Sequence, residues 1–333
     1  MTYIGMDIHQ KTSTMAWRHP ASGELYSAKF FTKPDDILAA LQELPRPWTI
    51  AVEATREAPW VCRLLLANEA EVHLAHPSKL SVLAKLRPAK TDLKDAILLL
   101  ELLEQGLLPE AYLAPEEVQQ RRAISRNREV IRSLATKLRN VIRSILCHAG
   151  IQVERTDLCG KEAREMVPDL LAELPGRDRL MANIMWRQLL EVEGDIACID
   201  ELIKDTVSKD EVAQALCILP GIGPVLAYSL MAEIGEIQRF SSCKQLHAYA
   251  GCVPRVSQSG EHCHHGKLWP RCNKRLRTYA VLAAQNAIRA KAHSKAKEAF
   301  RRASRKHHYN TAKIAAARKI LTDVFHIWHE LTH

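Results

Sequence analysis

The sequence predicts an α/β domain at the amino terminus, followed by a mainly helical remainder. The first observation is a set of short apolar or alternating segments of strand length in the first third of the 333-residue chain. The second is that helix-like segments alternate with these strands from residue 34 onward. The third is a heptad spacing of apolar residues that begins near residue 116. Together they indicate an α/β plus all-α fold class.

Three strands joined by short turns open the predicted domain: Tyr3 to Ile8, Thr12 to Arg18 and, after a Ser22-Gly23 turn, Glu24 to Phe31. The elements that follow alternate, namely a helix over Pro34 to Leu44, a strand over Trp48 to Thr55, a helix over Pro59 to Ala70, a strand over Glu71 to His76 and a helix over Pro77 to Arg87. This order matches the ribonuclease-H-like fold, in which the first strand lies beside the fourth.

A carboxylate interrupts the apolar run of each of these two neighbouring strands, Asp7 in the first and Glu53 in the fourth. Burying a carboxylate is costly unless it is paired or binds a metal ion. Asp92 and Asp95 lie three residues apart, at the start of a leucine-rich helix that Thr91 can cap, and project from nearly the same face. The four acids therefore predict a site of oxygen ligands for Mg²⁺ or Mn²⁺, which suits phosphate chemistry.

Two alternatives compete with this interpretation. Acids on a first helical turn also suit the helix macrodipole, so Asp92 and Asp95 alone are weak evidence for a metal site. The ATPase and sugar-kinase branch of the same fold also begins with a strand that bears an aspartate, but a glycine-containing phosphate loop follows it. Because the segment from Ile8 to Lys11 contains no glycine, the kinase alternative is disfavoured.

The composition is that of a soluble globular protein, with 47% hydrophobic and 26% charged residues. No window approaches a continuous apolar membrane span, and the first residues lack the basic and apolar regions of a signal peptide. Nine cysteines, an odd number scattered through helix-like sequence, favour reduced thiols over a disulfide framework. We therefore expect a cytoplasmic protein that has no membrane partner.

The net charge of +9 is concentrated in the last quarter of the chain. From Gly260 to His333 there are 16 Lys and Arg residues but only 4 Asp and Glu residues. This excess favours a polyanionic partner such as nucleic acid, although a basic face that is merely solvated is common. The side chains that we expect to contact nucleic acid in this segment are Lys267, Lys274, Arg275, Arg277, Arg301, Arg302, Arg305 and Lys306.

The middle of the chain is predicted to form two heptad helices. In the first, Glu116 to His148, the seam is Ile124, Ile131, Leu138 and Ile145, accompanied by Leu134 and Val141. In the second, the seam is Leu189, Ile196 and Ile203, accompanied by Val192 and Ile199. A loop around Pro168 to Gly176 would separate the two helices, so the pattern predicts an antiparallel coiled-coil arm or a dimerising stalk.

Two further segments carry features of functional sites. The segment Leu219 to Pro224 (LPGIGP) resembles the hairpin of helix-hairpin-helix modules, in which glycines such as Gly221 and Gly223 expose backbone N–H groups to a DNA phosphate. A simple turn between two helices is the alternative. Ser259 lies in a polar, glycine-broken segment that predicts an exposed loop, so its hydroxyl has the access that a nucleophile needs, although most loop serines are only turn residues.

A cluster of potential zinc ligands surrounds this loop. Its members are Cys252, His262, Cys263, His264, His265 and Cys272. Their spacing fits no standard ligand pattern, so a zinc site formed by Cys252, Cys263, His265 and Cys272 is a minor hypothesis.

Several stretches together resemble the DEDD-type transposases of bacterial insertion sequences, a group that includes the Piv pilin-gene invertase. The matching stretches are YIGMDIH, AVEAT, KTDLKDA, LPGIGPVLAYSLMAEIG, AYAGCVPRVSQSG and AKIAAARKIL, which occur in this order over almost the whole chain. One departure is the segment from Gly266 to Cys272 (GKLWPRC), where the family usually has small residues and a G-x-[IL]-S-K-x-G pattern.

The resemblance implies a RuvC-like catalytic domain over residues 1–110, a coiled-coil arm over 111–208 and a carboxy-terminal transposase domain over 209–333. It implies that Asp7, Glu53, Asp92 and Asp95 form a Mg²⁺-binding tetrad, and that Ser259 is a nucleophile that becomes a covalent phosphoserine. It also implies donor and target DNA, a structured bridge RNA encoded by the element, and a homo-oligomer. A metal-dependent junction resolvase that uses water in place of Ser259 is the alternative enzyme, and a non-catalytic nucleic-acid scaffold is the alternative outside enzymes.

Overall fold

The computed structural model describes residues 1–19, 21–85, 91–153, 158, 160–259 and 262–332, with the backbone alone described for residues 161, 256–259 and 262–265. The chain divides into two compact units, Met1–Ala114 and Pro115–His333. The finer division of the second unit at residue 208 stays a prediction.

A five-stranded mixed sheet forms the centre of the first unit. Its strands are β1 (Thr2–Ile8), β2 (Thr12–Arg18), β3 (Leu25–Phe31), β4 (Trp48–Glu53) and β5 (Glu71–Ala75). Their order across the sheet is β3-β2-β1-β4-β5, with β1, β2 and β3 antiparallel and β1, β4 and β5 parallel. The prediction that the first strand lies beside the fourth is confirmed, and this order is consistent with a ribonuclease-H-like fold.

Four helices accompany this sheet: α1 (Pro34–Gln42), α2 (Ala58–Ala67), α3 (Pro77–Ala84) and α4 (Asp92–Glu104). Several ends differ from the sequence prediction by one to three residues. The fourth strand ends at Glu53 and not at Thr55. The helix predicted to reach Ala70 ends at Ala67, since Glu69 adopts a left-handed backbone conformation with φ 63° that cannot continue an α-helix.

Side chains alternate along the central strands, so the sheet has one face with an apolar core and an opposite face on which α4 packs. Ile4, Met6 and Ile8 of β1 point to one face, where they pack with Ile50 and Val52 of β4 in an apolar core. Residues of the other register, among them Gly5, Asp7, Ala51 and Glu53, therefore point to the opposite face, where α4 packs. Both strand acids thus face α4.

The second unit is mainly helical. Its elements are α5 (Glu116–His148), α6 (Lys161–Ala172), α7 (Gly176–Ser208), α8 (Glu211–Cys217), α9 (Pro224–Ile234), α10 (Cys243–Tyr249), the hairpin of β6 (Pro254–Ser259) and β7 (His262–Leu268), α11 (Lys274–Arg289), α12 (Lys295–Ser304) and α13 (Tyr309–Leu331). Its largest core lies among α7, α8, α9, α11 and α13. None of the helices among the described residues is long and apolar enough to cross a membrane.

Helices α5 and α7 lie side by side and antiparallel. Arg128 pairs with Asp200, and Arg139, further along α5, pairs with Glu193, which comes earlier in α7. Because the partner number falls as the α5 number rises, the two helices run in opposite directions. Knobs-into-holes packing of a coiled coil stays a prediction.

The predicted seam is right for α7 but wrong in part for α5. Leu189, Ile196 and Ile203 of α7 are buried, as the heptad pattern predicts. On α5, Leu134 and Val141 are exposed. The buried positions there are Ala135, Leu138, Ile142 and Leu146, whose spacing of three and four residues follows the 3.6-residue period of a straight helix.

The loop predicted around Pro168 is also wrong in part. Pro168 lies inside α6, although a proline in a helix interior removes one backbone hydrogen bond. Val167 and Leu171, on either side of it, are fully buried against α5 and α7. Burial of these apolar side chains offsets the lost hydrogen bond, so proline alone was a poor guide to the helix end.

Candidate functional site

Helix α4 approaches β1 closely at Gly5. A Cβ atom on this residue would lie 2.0 Å from the carbonyl oxygen of Ala96 and 2.5 Å from the backbone nitrogen of Leu100. Side-chain rotation cannot relieve contacts with backbone atoms, so only glycine fits here. Gly5 therefore sets the distance between the sheet and the helix that carries Asp92 and Asp95.

Two carboxylates reach this interface from the sheet. Asp7 lies on β1 two residues after Gly5, and its side chain is only 4% exposed. The parallel register that pairs Met6 with Val52 places Glu53 of β4 at the same level as Asp7. The predicted neighbourhood of these two acids therefore follows from the strand order.

The other two carboxylates come from the first turn of α4. The hydroxyl of Thr91 caps this helix by accepting a hydrogen bond from the backbone N–H of Lys94 at 3.2 Å, as predicted. Asp92 and Asp95 are half-buried. Both are close enough to Asp7 for their charges to raise its pKa.

The electrostatics of Asp7 reflect this crowding. Burial is the main cause that raises the pKa of Asp7, to about 6, and His9 opposes the rise. The negative charges of Asp95, Asp92 and Glu53 raise it further. The cluster therefore holds more negative charge than the surrounding protein stabilises.

Sequence reasoning missed two nitrogen-bearing members of this cluster, His9 and Lys29. The Nε2 atom of His9 lies 3.2 Å from Oδ2 of Asp7 and 3.4 Å from Oδ1 of Asp92. Lys29 on β3 donates a hydrogen bond from Nζ to Oδ2 of Asp92 at 3.1 Å. This hydrogen bond is the main cause that lowers the pKa of Asp92.

The sequence holds a signal for both residues. His9 follows Asp7 by two positions, the spacing that keeps side chains on one face of an extended chain. Lys29 pairs with Thr14, and Thr14 pairs with Asp7, so the three residues form one row across β3, β2 and β1. A predicted register for the first three strands would have placed Lys29 beside the acids.

The donor set fits a hard divalent cation. One ligand atom each of Asp7, His9 and Asp92 lies within 4.8 Å of the others. The Oδ2 atom of Asp7 is buried and has no hydrogen-bond partner among the described residues, although Nε2 of His9 lies 3.2 Å away. A buried carboxylate oxygen without a hydrogen bond, beside other carboxylates, is what a cation ligand requires.

Ser259 lies in the second unit, at the end of β6. It belongs to a β-hairpin and not to the predicted loop, because β6 and β7 pair from Pro254↔Leu268 to Ser259↔His262. The side chain of Ser259 lies outside the described part of the chain, as do Gly260 and Glu261. Its role as a nucleophile stays a prediction.

A buried polar network holds the base of this hairpin. Glu233 on α9 is fully buried and accepts two hydrogen bonds from Arg126, at 2.7 and 2.9 Å. It accepts a third from Asn273 at 2.8 Å. Asn273 also caps α11, and its backbone N–H donates to the carbonyl of Tyr249. Glu233 thus ties together the residues that precede and follow the segment containing Ser259.

The hypothetical zinc ligands are described only in part. Cys252 is buried, and burial raises the pKa of its thiol to about 11, which disfavours the thiolate that zinc requires. Cys272 is half-buried. The side chains of Cys263 and His265, like those of His262 and His264, lie outside the described residues.

The predicted nucleic-acid contacts of α11 and the preceding segment differ in their surroundings. Lys267 and Lys274 are exposed. Arg275 forms an ion pair with Glu129 at 3.2 Å, and Arg277 donates to the carbonyl of Gly251. On and after α12, the predicted residues are all exposed, namely Arg301, Arg302, Arg305 and Lys306. Nucleic-acid contact stays a prediction for all of them.

The Pro/Gly segment forms a turn between α8 and α9. Gly221 has φ 95°, and a Cβ there would lie 2.3 Å from the carbonyl oxygen of Ala283 on α11. Gly223 precedes α9 as its N-cap and has open space around its Cα. Gly221 is therefore required for packing, a reason the sequence interpretation did not include, and DNA contact by this hairpin stays a prediction.

Comparisons with known proteins give a consistent result. A family model of transposases, the DEDD type of IS110, matches residues 4–150, and a model described as the transposase IS116/IS110/IS902 family matches residues 213–299. The chain is 28% identical to the transposase for insertion sequence element IS1111A of Coxiella burnetii, over 60% of this chain and 55% of that protein. It is 27% identical to the y4rJ protein of Sinorhizobium fredii, over 88% and 82%. It is 24% identical to the transposase for insertion sequence element IS1328 of Yersinia enterocolitica, over 72% and 70%.

Proposed function

Because this chain belongs to the IS116/IS110/IS902 family of insertion-sequence transposases, we propose that its cluster of four acids is the centre that cleaves DNA strands. The observation that carries the proposal is the buried Asp7 carboxylate: no described residue donates a hydrogen bond to its Oδ2, and the charges of three further acids raise its pKa. Buried carboxylate oxygens usually accept hydrogen bonds, so an oxygen left without a donor near three further acids favours a bound cation.

In this proposal Asp7, Glu53, Asp92 and Asp95 hold Mg²⁺, or Mn²⁺ in its place. A bound ion of this kind would stabilise negative charge on the scissile phosphate and favour attack by an oxygen nucleophile. The protein's own part is to fix the carboxylates on β1, β4 and α4. Lys29 and, when it is protonated, His9 would compensate part of the negative charge.

Ser259 is proposed as the nucleophile. Its Oγ would form a bond to the scissile phosphorus and lose the hydroxyl proton, while the bond to one deoxyribose oxygen breaks and that oxygen takes up a proton. The energy of the phosphodiester is kept in the phosphoserine, so a second deoxyribose hydroxyl can reverse the step and rejoin strands. The resemblance of the segment that ends in Ser259-Gly260 supports this assignment, as does its place at the end of a hairpin strand.

Three further elements of the proposal concern partners. A bridge RNA would pair with donor and target DNA, so that base pairing rather than side chains reads the target sequence. The coiled-coil arm of α5 and α7 would join copies of the chain, and the helix-hairpin-helix-like turn with Gly221 and Gly223 would contact DNA.

An element-encoded enzyme of this kind would work in the bacterial cytoplasm, on the nucleoid. Sequencing RNA that co-purifies with the protein tests the role of RNA most directly.

The test of the acidic centre uses single isosteric changes in the full chain. Asp7→Asn, Glu53→Gln, Asp92→Asn and Asp95→Asn should each abolish Mg²⁺-dependent cleavage of DNA that contains an element end, while the protein still folds and binds DNA. Asp35→Asn, on the exposed first turn of α1, is the matched control and should cleave normally. A tetrad variant that cleaves at the normal rate would remove that residue from the centre. Wild-type protein that binds DNA but never cleaves it would favour a scaffold.

A further inference from the structure

A groove of about 580 Å³ runs between α12 and α13 in the second unit. It is open along one side, and α10 contributes one wall through His247. Its polar lining includes Arg302, Lys306, Thr311, Arg318 and Thr322. Cationic and hydroxyl groups thus face one concave surface, supplied by three different elements.

The charge of this groove is of one sign. None of the described residues that line it is an aspartate or a glutamate. A neighbouring groove of similar size, about 650 Å³, shares Lys319 with it but is also lined by Asp323 and Glu330. The basic composition is therefore a property of this particular groove and not of every concavity near α13.

The cations of the basic groove also lack protein partners. In the described part of the chain, Arg302, Lys306 and Arg318 form no ion pair. Lys319, by contrast, pairs with Asp323 at 3.0 Å. The buried Arg128 of the same unit, for comparison, pairs with Asp200. Three unpaired cations around one cavity leave a positive potential that an anion would neutralise.

The pKa of His247, which lines the groove, is affected by these positive charges. Its Nε2 lies 3.1 Å from the hydroxyl oxygen of Thr322. Burial lowers the pKa of His247, and the positive charges of Arg318 and Lys319 lower it further. The neighbouring cations thus already disfavour one more positive charge.

We propose that this groove binds the phosphodiester backbone of DNA, with Arg302 and Arg318 contacting the phosphate groups. The planar guanidinium groups suit phosphate oxygens, and the hydroxyl of Thr311 or Thr322 can donate a further hydrogen bond. Phosphate contacts of this kind fix the position of a strand without reading its sequence. The choice of DNA rests on the proposed function, since a transposase processes DNA.

The test compares two double variants of the full chain that lose equal charge. Arg302→Gln with Arg318→Gln removes two cations from the groove, and Lys291→Gln with Lys295→Gln removes two exposed cations near the start of α12. Affinity for a DNA duplex of about 30 base pairs is measured by fluorescence anisotropy over a series of salt concentrations. The groove variant should bind roughly tenfold more weakly, and its plot of log K against log salt should be less steep by about 1 to 2, because each lost phosphate contact releases about 0.9 fewer counterions. The control variant should change affinity by less than about twofold.

Three outcomes would overturn the proposal. If both double variants lose duplex affinity equally, the attraction comes from the overall positive charge of the surface and not from this groove. A loss confined to an RNA hairpin of equal charge would assign the groove to RNA. If the groove substitutions abolish binding of inorganic phosphate but leave duplex affinity unchanged, the groove is a site for a free anion. If the double variant fails to fold, Lys306→Gln, in the exposed turn after α12, should show the same trend at about half the size.

A second readout is independent of cleavage. Addition of duplex should raise the pKa of His247 in wild-type protein, because a bound phosphate cancels the charge of Arg318. The titration of its ring resonances by NMR, assigned with His247→Gln, should show this rise, and it should disappear in the groove variant. If only the groove proposal is wrong, the protein still cleaves DNA in a metal-dependent reaction, but the groove substitutions do not weaken duplex binding. If only the proposed function is wrong, the groove substitutions weaken duplex binding, but no cleavage is seen. The two results are therefore distinguishable.

Discussion

Lys29 donates a hydrogen bond from Nζ to Oδ2 of Asp92 at 3.1 Å, across 63 residues of sequence. The contact joins β3, the edge strand of the sheet, to the first turn of α4. It places a lysine amino group against a carboxylate cluster proposed to bind a divalent cation. A lysine in this position competes with the cation for Asp92 and can also contact a phosphate group of DNA.

Replacing Lys29 should therefore have opposite effects on two measurements. Lys29→Met keeps much of the side chain's length but removes its charge, so affinity for Mn²⁺, measured by calorimetry, should rise roughly two- to fivefold because competition at Asp92 is lost. DNA cleavage should fall about tenfold. Lys33→Met, at the N-cap of α1 and without an ion pair to any described aspartate, serves as the control. A Lys29→Met protein with weaker Mn²⁺ binding would contradict the competing role.

Gly5 should tolerate no side chain. The Cβ of Gly5→Ala would meet backbone atoms of Ala96 and Leu100 at 2.0 and 2.5 Å, so α4 must move away from β1. We expect a loss of about 1 to 3 kcal/mol in the free energy of unfolding, measured with urea, together with weaker Mn²⁺ binding. Gly176→Ala, which meets nothing within 4 Å, should be neutral or slightly stabilising. A Gly5→Ala protein with normal stability and normal metal affinity would show that α4 does not depend on this contact.

The stability of the metal-free protein should depend on pH through Asp7. The folded-state pKa of about 6 exceeds the ordinary value of 3.8, so protonation of Asp7 favours the folded state. Its contribution is fully present below pH 3.8 and is lost as the pH rises through 6, a change of about 3 kcal/mol. Urea unfolding in the presence of EDTA should show this decline between pH 4 and 7. Asp7→Asn should lack the decline and be more stable than wild type at pH 7, whereas an equal decline in both proteins would assign it to another group.

The buried Glu233 should be critical for the base of the hairpin that carries Ser259. Glu233→Ala would leave Arg126 and Asn273 without their shared acceptor and should lower the free energy of unfolding by about 3 kcal/mol. Glu233→Gln should cost less, since its amide oxygen still accepts from Asn273. Urea unfolding compares the two variants. Equal losses would mean that the negative charge opposite Arg126 matters and that the hydrogen bond from Asn273 contributes nothing measurable.

Much of the first unit could be predicted from the sequence, because its signals are local or follow from strand order. Asp7 and Glu53 stand out as acids in apolar strands, and the cap at Thr91 precedes the helix of Asp92 and Asp95. These features need no knowledge of side-chain packing. The strand order then brings the acids of β1 and β4 together.

The rest depends on tertiary contacts that no local pattern encodes. Lys29 reaches Asp92 only through the register of three strands and the docking of α4. Leu134 fits a heptad but faces solvent, since the packing of α5 follows a period of 3.6 residues. Pro168 stays helical because its apolar neighbours are buried, and Gly221 packs against α11, which begins 53 residues later in the sequence.

The central claim is that the acidic cluster and Ser259 act together in strand exchange. The most direct measurement is a search for a protein–DNA adduct that survives denaturation, using wild-type protein, the RNA that co-purifies with it, DNA with an element end, and Mg²⁺. The adduct should form through Ser259, so mass spectrometry should find a nucleotide on the peptide that contains it. Ser259→Ala should lose the adduct and recombination yet keep DNA binding, while Ser257→Ala should keep all three. Cleaved DNA with free ends and no adduct, undiminished in Ser259→Ala, would contradict the claim and point to water as the nucleophile of a resolvase.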